Sequence, residues 1–113
     1  MQYLLVLYSD ETQWPKMSAA EQQQAVKEYT AYTEALHKAG VVRGMGRLQP
    51  TRTASTVHVA GGETQVLDGP YVDSKEQLGG FYLIDVPDRD AALAWGARCP
   101  AAAHGHVEVR PLW

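Results

Sequence analysis

Hydrophobic residues follow two different patterns along the chain, and each pattern predicts a different element. Residues 3–8, YLLVLY, and residues 81–86, FYLIDV, are apolar almost throughout. Continuous apolar runs of this length are typical of strands that are covered on both faces. In residues 18–39 the apolar side chains recur every three or four positions, which predicts an amphipathic helix with one apolar stripe. The stripe consists of Ala25, Tyr29, Tyr32, Leu36 and Ala39.

Local signals mark where the helices begin and end. Ser18 and Glu21 have the spacing of a capping box, in which each side chain accepts a hydrogen bond from the backbone N–H of the other residue. Gly40 is suited to end the same helix, because glycine readily adopts the left-handed conformation found at helix ends. A second helix is expected to begin with Asp88 as its N-cap and to stop at Pro100.

Three further segments predict strands, and one of them contains both strands of a hairpin. Residues 41–50, VVRGMGRLQP, predict a strand that contains two glycines and stops at a proline. Residues 55–68, STVHVAGGETQVLD, contain two short runs joined by Gly-Gly, which is a strong signal for a β-hairpin. Residues 106–113, HVEVRPLW, begin with alternating polar and valine side chains and predict the last strand. The order of elements is therefore β-α-β-(hairpin)-β-α-β.

This order predicts an α+β fold with two helices on one face of a sheet. Two helices cannot cover both faces of a four- or five-stranded sheet. Residues 3–8 and 81–86 nevertheless have the pattern of strands covered on both faces. We therefore expect the sheet of an identical partner to cover the second face, so that the protein is a homodimer through its sheet face.

Composition narrows the class of protein. The 113 residues suit one domain with one core, and we expect a single domain over residues 1–113. The net charge of −3 comes without a run of basic residues, which argues against a nucleic-acid partner. Cys99 is the only cysteine, which excludes an intrachain disulfide and a cysteine-rich zinc site. Because no signal peptide or membrane-length apolar stretch is recognisable, the expected location is the cytoplasm, without a membrane partner.

Candidate chemistry lies in residues 68–80, DGPYVDSKEQLGG. Asp73, Lys75 and Glu76 stand here between the turn-forming Asp68-Gly69-Pro70 and a pair of glycines. In a cleft, a carboxylate near an ammonium group or a second carboxylate can acquire a pKa suited to proton transfer. The alternative is that these are solvated loop charges and that Asp68 only stabilises a turn.

Residues elsewhere in the chain could line the same site. His58 lies on the strand face opposite Val57 and Val59, where it either faces a pocket or makes a surface or cross-strand contact. Tyr29 and Tyr32 either pack in the core or present their hydroxyls to a polar pocket. The histidines lack the spacing of a metal site, and the sequence has neither a phosphate loop nor a dinucleotide fingerprint. We therefore expect no metal and no cofactor.

A long motif resembles a known family. The run DGPYVDSKEQLGGFYLIDVPDRDAALAWGARCP, followed by GHVEVRPLW, is similar to the YCII-related proteins of the DGPF type. The likeness extends to YTEALHKAGV and TASTV and so covers nearly the whole chain. Tyr71 replaces the phenylalanine that names the motif, and Asp73 and Ser74 replace a glutamate and a threonine. The resemblance implies a ferredoxin-like fold of the dimeric α/β-barrel group.

The resemblance also implies a pocket in which a histidine and an aspartate act together on a small molecule. The aspartate falls on Asp73 and the helix histidine near Tyr29. This chain therefore lacks that histidine. An acid–base pair with Asp73 would require His58 or Tyr29 to substitute for it. DGPF-type proteins are often encoded beside sigma factors of the extracytoplasmic-function class, which implies a regulatory setting.

Two hypotheses for the function follow. In the first, the protein is a small-molecule enzyme of the lyase or isomerase kind that uses acid–base chemistry near the DGPY loop. Its catalytic residues would be Asp73 as general base, Asp68 and His58. Its substrate-binding residues would be Tyr29, Tyr32, Arg47, Tyr71, Lys75 and Glu76. In the second, the protein is a non-catalytic ligand-binding or regulatory module associated with a sigma factor, which the missing helix histidine favours.

Overall fold

The computed structural model describes residues 1–113 and has an α+β architecture, as the order of elements predicts. The strands are β1 (Gln2–Ser9), β2 (Val42–Arg47), β3 (Ser55–Ala60), β4 (Glu63–Asp68), β5 (Gln77–Asp85) and β6 (His106–Pro111). The helices are α1 (Ala19–Ala39), α2 (Arg89–Arg98) and α3 (Ala101–His104), with single 3₁₀ turns at Trp14–Lys16 and Thr51–Thr53. None of the helices is both long and apolar enough to cross a membrane.

Four strands form the main sheet, in the order β2-β5-β1-β6, and every neighbouring pair is antiparallel. The two continuous apolar runs therefore occupy the centre of the sheet, as β1 and β5. Strands β3 and β4 pair with each other in a separate two-stranded sheet, which confirms the predicted hairpin. Within the chain the main sheet keeps two free edges and does not close into a barrel.

The long helix α1 begins and ends as its sequence predicts. The Ser18 hydroxyl accepts a hydrogen bond from the Glu21 N–H at 3.1 Å. The Glu21 carboxylate accepts one from the Ser18 N–H at 3.0 Å, so the capping box is complete. At the other end Gly40 has a φ of 71°, the left-handed conformation that favours glycine.

The region of the second helix differs in part from the prediction. Asp88 caps α2 as expected, and its carboxylate accepts a hydrogen bond from the Ala91 N–H at 2.9 Å. Helix α2 ends at Arg98, just before Pro100 as predicted, but Pro100 has φ −54° and ψ −32° and is followed directly by the additional short helix α3. Proline is compatible with the first turn of a helix, and the alanines at 101–103 favour helix strongly. The expectation of two helices is therefore wrong, and the chain has three.

The helices cover one face of the main sheet. Tyr3, Leu5 and Leu7 alternate along β1 and belong to the core cluster, together with Leu36 of α1 and Ala92 of α2. Leu5 and Leu36 are both completely buried. The other buried members are Tyr32, Tyr82, Ile84, Val86, Cys99 and Ala101.

The opposite face of the main sheet has no helix over it. Leu4 and Val6 of β1 lie between the core residues in sequence, and they pair with Leu83 and Phe81 of β5 respectively. Leu4, Phe81 and Leu83 are partly exposed, while Val6 is 9% exposed between them. We call this surface the open sheet face. The strands are thus apolar on both faces, as predicted, and one of these faces is covered within the chain.

The β3–β4 hairpin lies outside the packed body of the protein. None of its residues is buried. The radius of gyration is 16.1 Å, whereas a compact domain of this length has about 13 Å. The molecule is flat, with extents of 47 × 41 × 19 Å. The hairpin therefore adds surface without adding to the core.

Candidate functional site

The segment 68–80 ends where three strands meet at one end of the main sheet. Strand β1 ends there, and β5 and β6 begin there. Tyr8 of β1 pairs with Leu78 of β5 on one side and with His106 of β6 on the other. Strands β5 and β6 pair with β1 on opposite sides, and both begin where β1 ends. Glu76, just before β5, therefore reaches His106 of β6, although the two residues are 30 positions apart in sequence.

Glu76 and His106 form a close pair. The carboxylate Oε1 of Glu76 lies 2.6 Å from Nδ1 of the His106 ring. An ionised carboxylate can only accept hydrogen bonds, so Nδ1 is the donor and the neutral ring has its free lone pair on Nε2. The Glu76 side chain is 31% exposed and that of His106 is 81% exposed. The pair therefore presents an oriented proton acceptor, Nε2, at the surface.

Hydrogen bonds hold the chain around Glu76 in place. The Ser74 hydroxyl donates to the Glu76 carbonyl, and the Gln77 side-chain amide donates to the Ser74 carbonyl at 2.7 Å. The Gln77 side-chain oxygen accepts from the Glu11 N–H at 3.0 Å. The carboxylate of Glu11 in turn accepts from the Thr51 N–H at 3.0 Å. Residues 74–77 are thereby tied to the chain that follows β1.

The start of the same segment is fixed by the hairpin. The Gly69 N–H donates to the Ala54 carbonyl at 2.8 Å, and the Gly69 carbonyl accepts from the Thr56 hydroxyl at 2.8 Å. Gly69 has a φ of 104°, where a residue with a Cβ is strained. The Asp68-Gly69-Pro70 turn thus has a structural reason for its glycine.

The residues between these two anchored ends are exposed. Tyr71 is 87% exposed, and Asp73 and Lys75 are exposed as well. Asp68 and His58 lie on the hairpin, where both are exposed. None of the ion pairs within the chain includes Asp68, Asp73 or Lys75. Within one chain the structure therefore does not bring the predicted catalytic residues into contact, and their roles stay predictions.

Tyr32 is held in the core. It is 5% exposed, and its hydroxyl donates to the Trp95 carbonyl at 2.7 Å. Its ring packs edge to face against Tyr82, with the centroids 5.3 Å apart. Burial raises the pKa of Tyr32, so the hydroxyl stays protonated. Packing and one internal hydrogen bond account for this side chain.

Comparison with known proteins places the chain in a family. The family model of the YCII-related domain matches residues 1–113. The chain belongs to the YCII-related family. A protein of Rhizobium meliloti (strain 1021), described as uncharacterized, is 38% identical over 114 aligned residues, which cover 99% of this chain and 92% of the relative.

In this YCII-related chain, Tyr29 stands near the position of the helix histidine that the resemblance implies. Tyr29 is half-buried, and burial is the main reason why its pKa is raised to about 12. Unlike the hydroxyls of Tyr32 and Tyr82, its hydroxyl has no hydrogen-bond partner within the chain. Tyr29 is therefore a neutral phenol that can donate a hydrogen bond.

Arg47 lies on the edge strand β2 of the YCII-related chain. Its guanidinium carbon is 5.2 Å from the centre of the Trp14 ring. None of the ion pairs within the chain includes Arg47. Its charge is thus not neutralised within the chain, and its predicted role in binding a substrate anion stays a prediction. Strands β5 and β1 separate its strand from the strand of His106.

His106 was not among the residues predicted for the site, although Glu76 was. The alternation of HVEVR does place His106, Glu108 and Arg110 on one face of a strand. The proximity of His106 to Glu76 depends on β6 pairing with β1, which no local pattern specifies. The missing signal is therefore the strand order.

Two shallow cavities lie on the helix side of the sheet. One of about 210 Å³ lies between α2 and β6, and His106, Val107 and Val109 contribute to its lining. The other, of about 610 Å³, lies between α1 and the α2–α3 region, and its lining includes Tyr32 and Arg98. No group of three or more His, Cys, Asp or Glu side chains is arranged to hold a metal ion. His106 borders the smaller cavity at the start of β6, but its side chain shares a strand face with Glu108 and Arg110, opposite Val107 and Val109.

Proposed function

We propose that this YCII-related protein is a homodimer of ferredoxin-like subunits that acts on a small molecule by acid–base chemistry. The order β2-β5-β1-β6, with the helices on one face, supports the ferredoxin-like assignment. The Glu76–His106 pair, in which Glu76 lies near the end of the segment 68–80, is the observation that supports acid–base chemistry.

The open sheet face supports the homodimer. Its centre is apolar and has no cover within the chain. The charges around it are already paired: Asp85 with the N-terminal amine at 3.1 Å and with Arg43 at 3.9 Å, and Glu108 with Arg110. A surface whose charges are neutralised internally fits a second apolar surface, and an identical copy supplies one by two-fold symmetry.

The Glu76–His106 pair supports proton transfer. With Nδ1 donating to the carboxylate, Nε2 can take a proton from a substrate carbon or hydroxyl, and the ionised Glu76 stabilises the resulting imidazolium. The imidazolium can then return the proton to a different atom of the substrate. Such a sequence isomerises the substrate, or completes an elimination if the imidazolium gives the proton to the departing leaving group instead. The base in this proposal is His106, with Asp73 as the rival candidate.

A neighbouring group supplies a binding interaction in this scheme. Lys75 precedes Glu76 and is the cation nearest in sequence to the pair, so we assign it to an anionic substrate group. An anionic small molecule with an acidic C–H or O–H group is therefore the expected class.

A ligand screen followed by turnover tests this proposal. Small phenolic and carboxylic metabolites are first screened for a rise in melting temperature, because a ligand that binds only the native state stabilises it. Each hit is then incubated with enzyme and analysed for conversion. A hit that binds without conversion would replace the enzyme with the non-catalytic binding module.

Substitutions then identify the base. We expect His106→Gln to lower kcat by about 100-fold or more, as removal of a general base does. Glu76→Gln should lower it by about 10–100-fold, because the orienting carboxylate is lost. The matched control is His37→Gln, which removes an exposed histidine at the end of α1. Full activity in His106→Gln together with inactivity in Asp73→Asn would assign the base to Asp73 instead.

A further inference from the structure

The β3–β4 hairpin has a cluster of apolar side chains on one face that nothing in the chain covers. Val57 and Val66 lie directly opposite each other, and Val59 follows on the same face. Val57 and Val66 are each 61% exposed, and Val59 is 60% exposed. We call this surface the valine face. The other face carries His58 paired with Gln65, and Thr56 paired with the exposed Leu67.

A hairpin of this kind is not stable when left alone. An isolated two-stranded hairpin in water is marginal at best, and it needs a third strand or a packed face. Residues 55–60 and 63–68 contain no Lys, Arg or Pro, the residues that commonly protect free strand edges from association. Both strands nevertheless form complete ladders over all six residues. These features indicate that another surface covers the valine face in the native protein.

The area available on the open sheet face points to the same conclusion. Four strands spaced by about 4.8 Å, with about six residues each at about 3.3 Å, give a face of about 400 Å². A specific interface usually buries about 800 Å² on each partner. By the same spacing one hairpin face has about 200 Å². Each copy would bury its open sheet face, its own hairpin face and an equal area that the partner's hairpin covers. These areas of about 400, 200 and 200 Å² together reach the usual size.

We propose that the valine face of the β3–β4 hairpin packs on a second copy of this chain and extends the interface formed by the open sheet face. The inference rests on the proposed homodimer. A second copy fits better than a charged partner because the valine face itself is uncharged between its ends. In a two-fold dimer both hairpins are covered at once, so neither copy keeps an exposed valine face.

The test measures dimer dissociation in the full chain by sedimentation velocity over a range of concentrations. Val57→Lys combined with Val66→Glu makes the valine face charged while keeping a favourable cross-strand pair. The matched control, His58→Lys with Gln65→Glu, makes the same change in charge on the opposite face of the same hairpin. We expect the dissociation constant to rise about tenfold or more in the first variant and to stay within about twofold of the unmodified chain in the control.

The outcomes separate the inference from the proposal on which it rests. Leu83→Lys, on the open sheet face, reports on the dimer itself. If Leu83→Lys dissociates the dimer and the valine-face variant does not, the hairpin inference is wrong and the homodimer stands. If the unmodified chain is monomeric throughout, both are wrong. Amide exchange gives a second readout, since the hairpin amides should exchange more slowly as the protein concentration rises.

Discussion

Replacing Gly105 by alanine should destabilise the protein and separate His106 from Glu76. Gly105 joins α3 to β6, and a Cβ added to it would lie 2.0 Å from the carbonyl oxygen of Tyr8. A Cβ essentially never approaches a neighbouring atom closer than 3.0 Å, so the two backbones must move apart by about 1 Å. Tyr8 lies in β1, which is paired on both sides, whereas β6 is an edge strand. The strand that moves is therefore β6.

The movement has two consequences of calculable size. A shift of about 1 Å stretches the distance between Glu76 Oε1 and His106 Nδ1 from 2.6 Å to about 3.6 Å, which is too long for a hydrogen bond. It also disturbs the pairing of His106 with Tyr8, and each backbone hydrogen bond contributes about 0.5–1.5 kcal/mol. With the remaining backbone strain, we expect the free energy of unfolding to fall by about 2–4 kcal/mol.

Urea denaturation followed by tryptophan fluorescence measures the free energy of unfolding. Gly79→Ala is the matched control, because a Cβ added at Gly79 meets no atom within 4 Å. It should be neutral or stabilise the protein by up to about 1 kcal/mol, since alanine restricts the unfolded chain. The proton on His106 Nδ1 gives a low-field NMR signal that should persist in Gly79→Ala and disappear in Gly105→Ala. Equal stability of the two variants, within about 0.5 kcal/mol, would refute the reasoning.

Three further predictions concern α1 and the cysteine. Ser18→Ala should lower the free energy of unfolding by about 1 kcal/mol in urea titrations, because it removes the N-cap. The hydrogen bond from the Ser18 N–H lowers the pKa of Glu21 from 4.5 in the folded protein. The ionised Glu21 therefore contributes its full stabilisation of the fold above pH 4.5, and this contribution is lost as the pH falls through the lower pKa of the folded state. Glu21→Gln should accordingly flatten the loss of stability with acid, and an unchanged acid profile would contradict this. Cys99 is 2% exposed and burial raises its pKa, so a disulfide reagent at pH 8 should modify it only as fast as the protein opens; modification at the rate of a free thiol would be inconsistent with the structure.

The elements that the sequence predicts correctly depend on local interactions. The capping box of α1 needs only Ser18 and Glu21, and the hairpin needs only a Gly-Gly turn between two short strands. The end of α2 before Pro100 was predicted correctly but α3 was missed, because Pro100 acts as the first residue of a new turn as easily as it ends the previous helix. Proline alone does not distinguish these cases.

The candidate site was harder to predict because it depends on strand order. Glu76 and His106 meet only since β1 lies between β5 and β6. Periodicity assigns His106 to a face of a strand, but it does not say which strand lies beside it. Conversely, charged residues that are close in sequence need not form ion pairs. Asp73 and Lys75 lie in the same loop but remain exposed and unpaired within the chain.

The choice of His106 as the base follows from a comparison of the polar groups that could take its place. Tyr29, near the position where the family resemblance implies a histidine, has its pKa raised to about 12, so it stays protonated at neutral pH and cannot act as the base. Of the four histidines, His104 lies 3.9 Å from the Glu28 carboxylate, beyond a hydrogen bond, while His106 lies 2.6 Å from Glu76. His37 and His58 are exposed and have no carboxylate partner. An oriented imidazole with a free Nε2 thus occurs at one place in the chain, and the proposed proton transfer would have its base on β6 and not on α1.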